Sequence, residues 1–365
     1  MSVLPGEAVL RIGVIGCGNI SDIYFSNLTG MFKKNVRITA LTDTAAQRAH
    51  NASEKYKIPY IKDTDDLINS ADVDIILNIT EPFNHYPVAL AAVKAGKHLY
   101  GEKPLCIKRE EAQEILKIAK EKNLRIGNAP DTFLGAGIQT CRKLLDDGWI
   151  GTPVAATAFM VNHGHEHWHP GPEFYYKKGG GPMFDMGPYY LTCLVNLLGP
   201  VTRICGSAKK SFDTRTITSE PLNGTVINVD VPTHVTGILD FECGAAATVI
   251  TSFDVYSHTL PCIEIYGSKG TLRVPDPNTF GGPVFVKRYY ESIWSEVPFL
   301  SGFCENSRGL GLVDMAGAIT ENRPHRASGE LAYHVLELMH GFHDASESGS
   351  YYNVKSKCNR PEPVY

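Results

Sequence analysis

Apolar residues crowd together at Ile12, Val14 and Ile15, then stop at Gly16-Cys17-Gly18. A short apolar run closing on glycine predicts a buried strand that turns sharply into a helix. Similar runs recur at Val36–Leu41, closing on Thr42-Asp43, and at Val73–Ile79, closing on Thr80-Glu81-Pro82. Helical patterning separates them, as around Ala45–Tyr56. Asn84–Gly96 reads as a helix with Pro87 in its first turn and Gly96 just past its end. A strand at His98–Tyr100 runs into Gly101-Glu102-Lys103-Pro104. The next helix, Lys108–Lys122, sets Ala112, Ile115, Leu116 and Ala119 on one face, and Leu124–Ile126 reads as a sixth strand ending near Asn128. This alternation predicts an α/β domain over residues 1–130 built on a doubly wound parallel sheet.

Beyond residue 130 the pattern changes. A helix over Ala136–Asp146 and a Gly148–Gly151 turn lead into strand-rich sequence from Pro153. Val235, Gly237, Leu239 and Phe241 alternate with Thr236, Ile238 and Asp240, and a Cys243-Gly244 turn precedes a partner strand at Ala246–Phe253. Cys262–Tyr266 and Thr271–Val274 flank Gly267–Gly270 as a second hairpin. These features predict an α+β second domain over residues 131–365 with a large open, mostly antiparallel sheet. Helices such as Tyr189–Leu198 would cover one face, and the bare face predicts a homo-oligomer assembled through the sheet. Leu331, Val335, Leu338 and Phe342 form an amphipathic helix after a Ser328 cap, whereas residues 275–326, rich in Gly and Pro, show no assignable element.

Composition narrows the function classes. The chain has 365 residues, 43% of them hydrophobic and 20% charged, with a net charge of −4. That describes an ordinary globular protein with no basic stripe, so neither nucleic acid nor a membrane surface is expected as a partner. No apolar run reaches the length of a membrane span, and no signal peptide is recognisable. Nine cysteines without a C-x-x-C pair suit a reducing cytoplasm.

The candidate chemistry gathers where parallel strands end, because ligands of doubly wound sheets bind there. Gly16 suits the tight turn and Gly18 the close approach of a pyrophosphate, with Ser21 standing where a third glycine is usual. Asp43 is placed to receive ribose hydroxyls and to repel a 2′-phosphate, favouring NAD over NADP; Arg48 blurs that preference, and a helix-capping role is the plain alternative. The loops after the later strands carry Thr80, Glu81, Pro82, Asn84, His85, Glu102, Lys103, Asn128 and Asp131. Lys103 is either a proton-transfer or hydrogen-bonding group, or a surface lysine before a turn proline. Asp185 and Tyr189 stand four apart where a helix begins after Gly179–Gly181, and read as a proton relay or as a cap with a core tyrosine. His163, His165, Glu166, His167, Trp168 and His169 suggest a metal site, a pocket for a polyhydroxylated substrate, or a structural loop. No metal is expected, since the pocket suits a sugar best.

Taken together, G-C-G-N-I-S at 16–21, Asp43, T-E-P-F-N-H at 80–85, A-G-K-H-L-Y-G-E-K-P-L at 95–105 and G-G-G-P-M-F-D-M-G-P-Y at 179–189 resemble the Gfo/Idh/MocA family. The resemblance implies a Rossmann domain and an oligomer-forming α/β domain. NAD would be held by Gly16, Gly18, Asn19, Ile20, Asp43, Thr80, Pro82, Asn84, His85, Glu102 and Lys103. It also implies a Lys103 beside the nicotinamide, fixed by a cis bond to Pro104, with Asp185 as its acidic partner. Tyr189 stands where sugar and inositol dehydrogenases carry a histidine, so the base is either Tyr189 or a histidine of 163–169. Substrate contacts fall to Asn128, Asp131, His163, His165, His167, Trp168 and His169. The expected reaction is reversible, NAD-dependent oxidation of a secondary ring hydroxyl, C3 of a pyranose or glycoside, to a keto sugar. Inositol 2-dehydrogenation and a non-catalytic NAD-binding regulator are the alternatives.

Overall fold

The structure, a computed structural model, describes residues 9–300 and 302–364. The chain forms two compact units. The first runs to Asp131 and takes in Asn306–Tyr333; the second comprises Thr132–Glu305 and the chain from His334 onward. The second domain read from the sequence is therefore interrupted, because residues 306–333 pack with the first unit.

In chain order the first unit begins β1 (Leu10–Ile15), α1 (Ser21–Thr29), β2 (Val36–Thr42), α2 (Ala46–Tyr56), α3 (Thr64–Asn69) and β3 (Ile75–Asn78). It continues with α4 (Pro82–Lys94), β4 (His98–Gly101), α5 (Arg109–Glu121) and β5 (Ile126–Asn128). There follow α6 (Ala136–Asp146), β6 (Pro153–Val161), α7 (Gly181–Asp185), α8 (Gly187–Leu198), β7 (Val201–Lys209), β8 (Thr214–Thr216) and β9 (Val226–Asn228). The remaining elements are β10 (His234–Phe241), β11 (Ala246–Ser252), β12 (Ile263–Gly267), β13 (Gly270–Val274), β14 (Val284–Arg288), β15 (Ser295–Val297), α9 (Leu310–Thr320), α10 (Gly329–Ser348) and β16 (Tyr352–Asn353).

The first sheet is parallel, in the order β2-β1-β3-β4-β5. It has five strands, so the run read as a sixth strand is the fifth; it starts at Ile126 rather than Leu124 and ends at Asn128. Thr42, Ile15, Asn78, Gly101 and Asn128 are paired in one row across it, so the loops that follow all start from one edge. Pro82, not Pro87, occupies the first turn of α4, where its missing N–H costs nothing; Pro87 lies inside the helix. Gly96 ends it with φ +79°, as its position required. Helix α9 belongs to this unit, and its N-terminal amides are claimed from the sheet side: Gly309 and Gly311 both donate to Asp131 Oδ2 at 2.9 Å.

The second unit holds a nine-stranded sheet ordered β15-β14-β13-β12-β6-β11-β10-β7-β16. Only β6 and β11 pair in parallel; every other neighbour is antiparallel. Val235, Leu239 and Phe241 are buried, as their alternation predicts, and a Cβ on Gly237 would meet the Phe342 ring at 2.7 Å, so α10 lies against that strand. Every residue of α8 is buried. Strands β8 and β9 form a separate two-stranded ribbon between β7 and β10. No helix among the described residues is long and apolar enough to cross a membrane.

Candidate active site

The first unit supplies a nucleotide cradle at the strand row. Gly16 has φ +107°, and a Cβ there would sit 2.8 Å from the Ile79 carbonyl oxygen. Its glycine is demanded by the turn and by the neighbouring strand. Gly18 differs: a Cβ there would meet no protein atom within 4 Å. That open space, at the entry to α1, is the approach a pyrophosphate needs. Ser21 closes the turn in place of a third glycine, its Oγ donating to the Gly18 carbonyl at 2.7 Å. Asn19 is exposed and Ile20 leads into α1.

Asp43 follows β2 and serves two backbone amides. Cys17 N–H donates to Oδ2 at 2.7 Å and Ala45 N–H to Oδ1 at 2.6 Å. The capping role and a ligand role thus coexist, since each carboxylate oxygen keeps a further lone pair. Burial, then the Asp43 charge, pushes the Cys17 thiol up to about 12, so it stays a neutral thiol. Beside Asp43 a cleft of about 340 Å³ is lined by Tyr60, Lys62, Asp63 and Asp65 among others. Three carboxylates against one lysine make it a poor seat for a 2′-phosphate. These residues fit an NAD nucleotide.

The loops after β3 and β4 are tied to each other. His85 is buried, with Nδ1 2.6 Å from the Pro104 carbonyl oxygen and Nε2 3.0 Å from that of Thr80; burial holds its pKa below the usual range. Asn78, which the sequence reading passed over, accepts from the Thr80 hydroxyl at 2.6 Å and donates to the His85 carbonyl at 3.1 Å. Glu102 is buried too: Tyr24 donates its hydroxyl to Oε1 at 2.7 Å, and the Lys103 amide donates to Oε2 at 2.9 Å. His85 and Glu102, expected as cofactor ligands, each give one polar atom to the turn that carries Lys103 and the other to Thr80 and Tyr24, respectively. The Lys103–Pro104 bond is cis. Pro82 opens α4, with Asn84 exposed in its first turn.

Asn128 and Asp131, expected to touch substrate, are likewise buried and committed to backbone. The Asn128 amide donates to the Gly101 and Glu102 carbonyls at 3.0 and 2.9 Å, and Asp131 binds the start of α9. Burial pushes the Asp131 carboxyl up to about 6.

The second unit contributes a different constellation. The expectation that Asp185 and Tyr189 share one helix is corrected. Helix α7 ends at Asp185, Met186 breaks the run, and α8 starts at Gly187, with Tyr189 buried in it. Asp185 instead meets the histidine segment: His165 Nε2 lies 3.1 Å from Asp185 Oδ2. His165 is buried, its ring against Tyr175 at 4.0 Å, Phe253 at 4.7 Å and Trp168 at 5.3 Å, and its Nδ1 has no hydrogen-bond partner. Nδ1 protonation would leave a buried donor unmatched, so the tautomer bearing its proton on Nε2 fits these surroundings.

Of the other histidines, His169 shares the Trp168 and Tyr175 rings with His165. The segment is a loop, not a strand, so the four rings share no face. His163 stacks on the exposed Tyr256 ring at 3.6 Å; His167 and Trp168 are exposed; His169 accepts from the Gly171 amide at 3.0 Å. Glu166 turns inward, where its carboxylate pairs with Arg215 at 2.8 Å and accepts the Tyr176 hydroxyl. Among the described residues no group of three His, Cys, Asp or Glu side chains could hold a metal ion.

Comparison with known proteins places these features. Residues 10–129 match an oxidoreductase family with an NAD-binding Rossmann fold, and residues 138–273 match the GFO/IDH/MocA C-terminal domain. The chain is 28% identical over 287 residues to inositol 2-dehydrogenase 3 of Saccharopolyspora erythraea, spanning 75% of each chain. It is 27% identical over 243 residues to dTDP-3,4-didehydro-2,6-dideoxy-alpha-D-glucose 3-reductase of Streptomyces violaceoruber, spanning 66% of this chain and 68% of that one. Levoglucosan dehydrogenase, solved in complex with NADH, shares the fold with a TM-score of 0.82 at 18% identity, over 96% of this chain and 100% of the other. The chain belongs to the Gfo/Idh/MocA family of oxidoreductases and carries that family's NAD-binding Rossmann domain.

Proposed function

We propose that this protein oxidises a secondary ring hydroxyl of a pyranose sugar or glycoside, at C3, to the keto sugar, and runs the reverse reaction under reducing conditions. NAD, when bound, supplies the two-electron acceptor for the hydrogen leaving carbon. The protein's own task is to orient the carbinol and remove the hydroxyl proton. Lys103 donates a hydrogen bond to the hydroxyl oxygen. Asp185 takes the proton, held in aim by the Nε2–H of His165. Asp185 thereby takes the base's role that the sequence left between Tyr189 and a histidine of 163–169, and His165, from a loop, orients it.

The observation that carries this is the 3.1 Å pairing of His165 with Asp185, a carboxylate–imidazole pair largely shielded from water. The dTDP-sugar 3-reductase and levoglucosan dehydrogenase likenesses support a pyranose substrate. The 28% identity to an inositol 2-dehydrogenase favours a second reading, in which the ring is a cyclitol.

The test is NADH formation, followed by absorbance, with NAD⁺ and a panel of methyl glucosides, free hexoses and inositols. Turnover of pyranosides with a 3-keto product identified by NMR is the expected result. Turnover of inositols alone would replace the first reading by the second, and no NADH with any polyol would overturn both.

A further inference from the structure

We infer that Arg215 is the positioning residue for His165, joining with one buried guanidinium the loop that bears the imidazole to the strand end packed against it. The inference rests on the role given to the Asp185–His165 pair above, and it concerns Arg215, which no motif of the sequence marks.

Arg215 lies in β8, and its side chain is 6% exposed between two carboxylates, Glu166 and Asp254, each 7% exposed. Nη1 donates to Glu166 Oε1 at 2.8 Å; Nη2 donates to the Phe253 carbonyl at 2.9 Å and to Asp254 Oδ1. Glu166 is the chain neighbour of His165, and Phe253 is the ring packed on the imidazole. One planar fork thereby fixes both the backbone that bears His165 and the wall beside it, which a lysine ammonium could not do.

The rest of the ribbon repeats the grip. The Glu166 carbonyl accepts from the Thr218 and Ser219 amides at 2.8 and 3.1 Å, and the Ser219 hydroxyl donates to the His169 carbonyl at 2.6 Å. Thr233 donates to Asp254 Oδ2 at 2.7 Å, completing the far carboxylate. The guanidinium is flanked by the rings of Phe212 at 5.2 Å and Tyr176 at 5.7 Å. Two carboxylates facing one guanidinium leave no spare positive charge for a ligand, so this array holds a loop and is not itself a binding site.

The test compares Arg215→Met, Arg215→Lys and Ser219→Ala with Asp185→Asn. Per NAD-binding site, Arg215→Met should lower kcat roughly 100-fold, the scale of an ångström-level misplacement, with NAD affinity unchanged. Arg215→Lys and Ser219→Ala should fall between that variant and wild type. The primary deuterium isotope effect on kcat should rise, which a mere loss of folded protein would not produce. Independently of any substrate, the ring ¹⁵N signals of His165 should report a single Nε2–H tautomer in the wild type and a mixture in Arg215→Met or, should that variant not fold, in Arg215→Lys. Wild-type kcat together with an unchanged tautomer in the folded Arg215 variants would overturn the inference. Undiminished turnover in Asp185→Asn would instead overturn the role of the pair, whatever Arg215 does.

Discussion

Cys17 and Asp43 are joined across the first βαβ turn: the Cys17 amide donates to Asp43 Oδ2 at 2.7 Å. The carboxylate that faces the nucleotide cleft therefore also braces the glycine turn. Asp43→Ala should weaken NAD binding at least about tenfold and relax discrimination against NADP, since it removes both the brace and the charge. Asp43→Asn keeps an acceptor for one amide, so it should lose discrimination while losing less affinity. Titrating each variant with both nucleotides checks this, and an unchanged NAD-to-NADP ratio in both would remove Asp43 from cofactor selection.

The two glycines of the turn should respond oppositely to alanine. Gly16→Ala brings a Cβ to 2.8 Å from a backbone oxygen at φ +107°, so it should destabilise the fold by about 1–3 kcal/mol. Gly18→Ala meets no protein atom within 4 Å, so unfolding should be near normal while NAD affinity falls. Denaturant melts alongside nucleotide titrations separate the two effects.

Lys103→Ala should lower turnover by about two to four orders of magnitude while NAD binding survives. Tyr24→Phe should show a weaker form of the same defect, because it takes away the hydroxyl that orients Glu102, which in turn accepts the Lys103 amide. Initial rates at saturating NAD⁺ measure both, and a Lys103→Ala enzyme of normal rate would exclude that residue from the chemistry.

Two buried groups give the stability curve opposing slopes. His334 donates or accepts at both ring nitrogens, with Ser356 Oγ at 2.8 Å and the Val201 amide at 3.1 Å, and burial lowers its pKa from 6.5 to about 4. The unfolded chain takes up that proton first, so stability is lost as pH falls from about 6.5 to 4. Asp131, raised from 3.8 to about 6, binds its proton more readily when folded, so its contribution grows as pH falls through 6 towards 3.8. Asp131→Asn removes the second slope and keeps an acceptor for the α9 amides. Its unfolding midpoint in urea should drop more steeply between pH 6.5 and 4 than that of the wild type; parallel curves would show that Asp131 carries no such linkage.

How far the chain was readable follows from what each segment buries. The first sheet was plain because β1, β2 and β3 are apolar runs ended by glycine or polar residues, and the hairpin of β10 and β11 because one face is dry and the other wet. Helix α9 left no trace for the opposite reason: residues Leu310–Ala316 are buried all round, so no polar stripe gives it a period. The partner of Asp185 stayed open between Tyr189 and a histidine of 163–169, because the choice depends on a break at Met186 and on a residue twenty positions earlier. Arg215 was invisible for the same cause; its partners lie 49 and 39 positions away, in elements without periodic signal. Lys103 stood out through its motif, yet the side chains that aim its turn, Tyr24, Asn78 and His85, come from three other segments.

The bond from Asp131 to the start of α9 has a consequence for biosynthesis. When the ribosome has released the first 131 residues, the β-strands of the nucleotide unit are all present, but the helix that takes up the Asp131 carboxylate lies almost 180 residues ahead. A nascent chain at that stage holds an acid with no amides to receive it and an apolar flank with nothing upon it. The nucleotide unit is thus finished late, after every strand of its companion's sheet but β16 has been made, and a fragment cut at residue 131 is a partial fold rather than a domain.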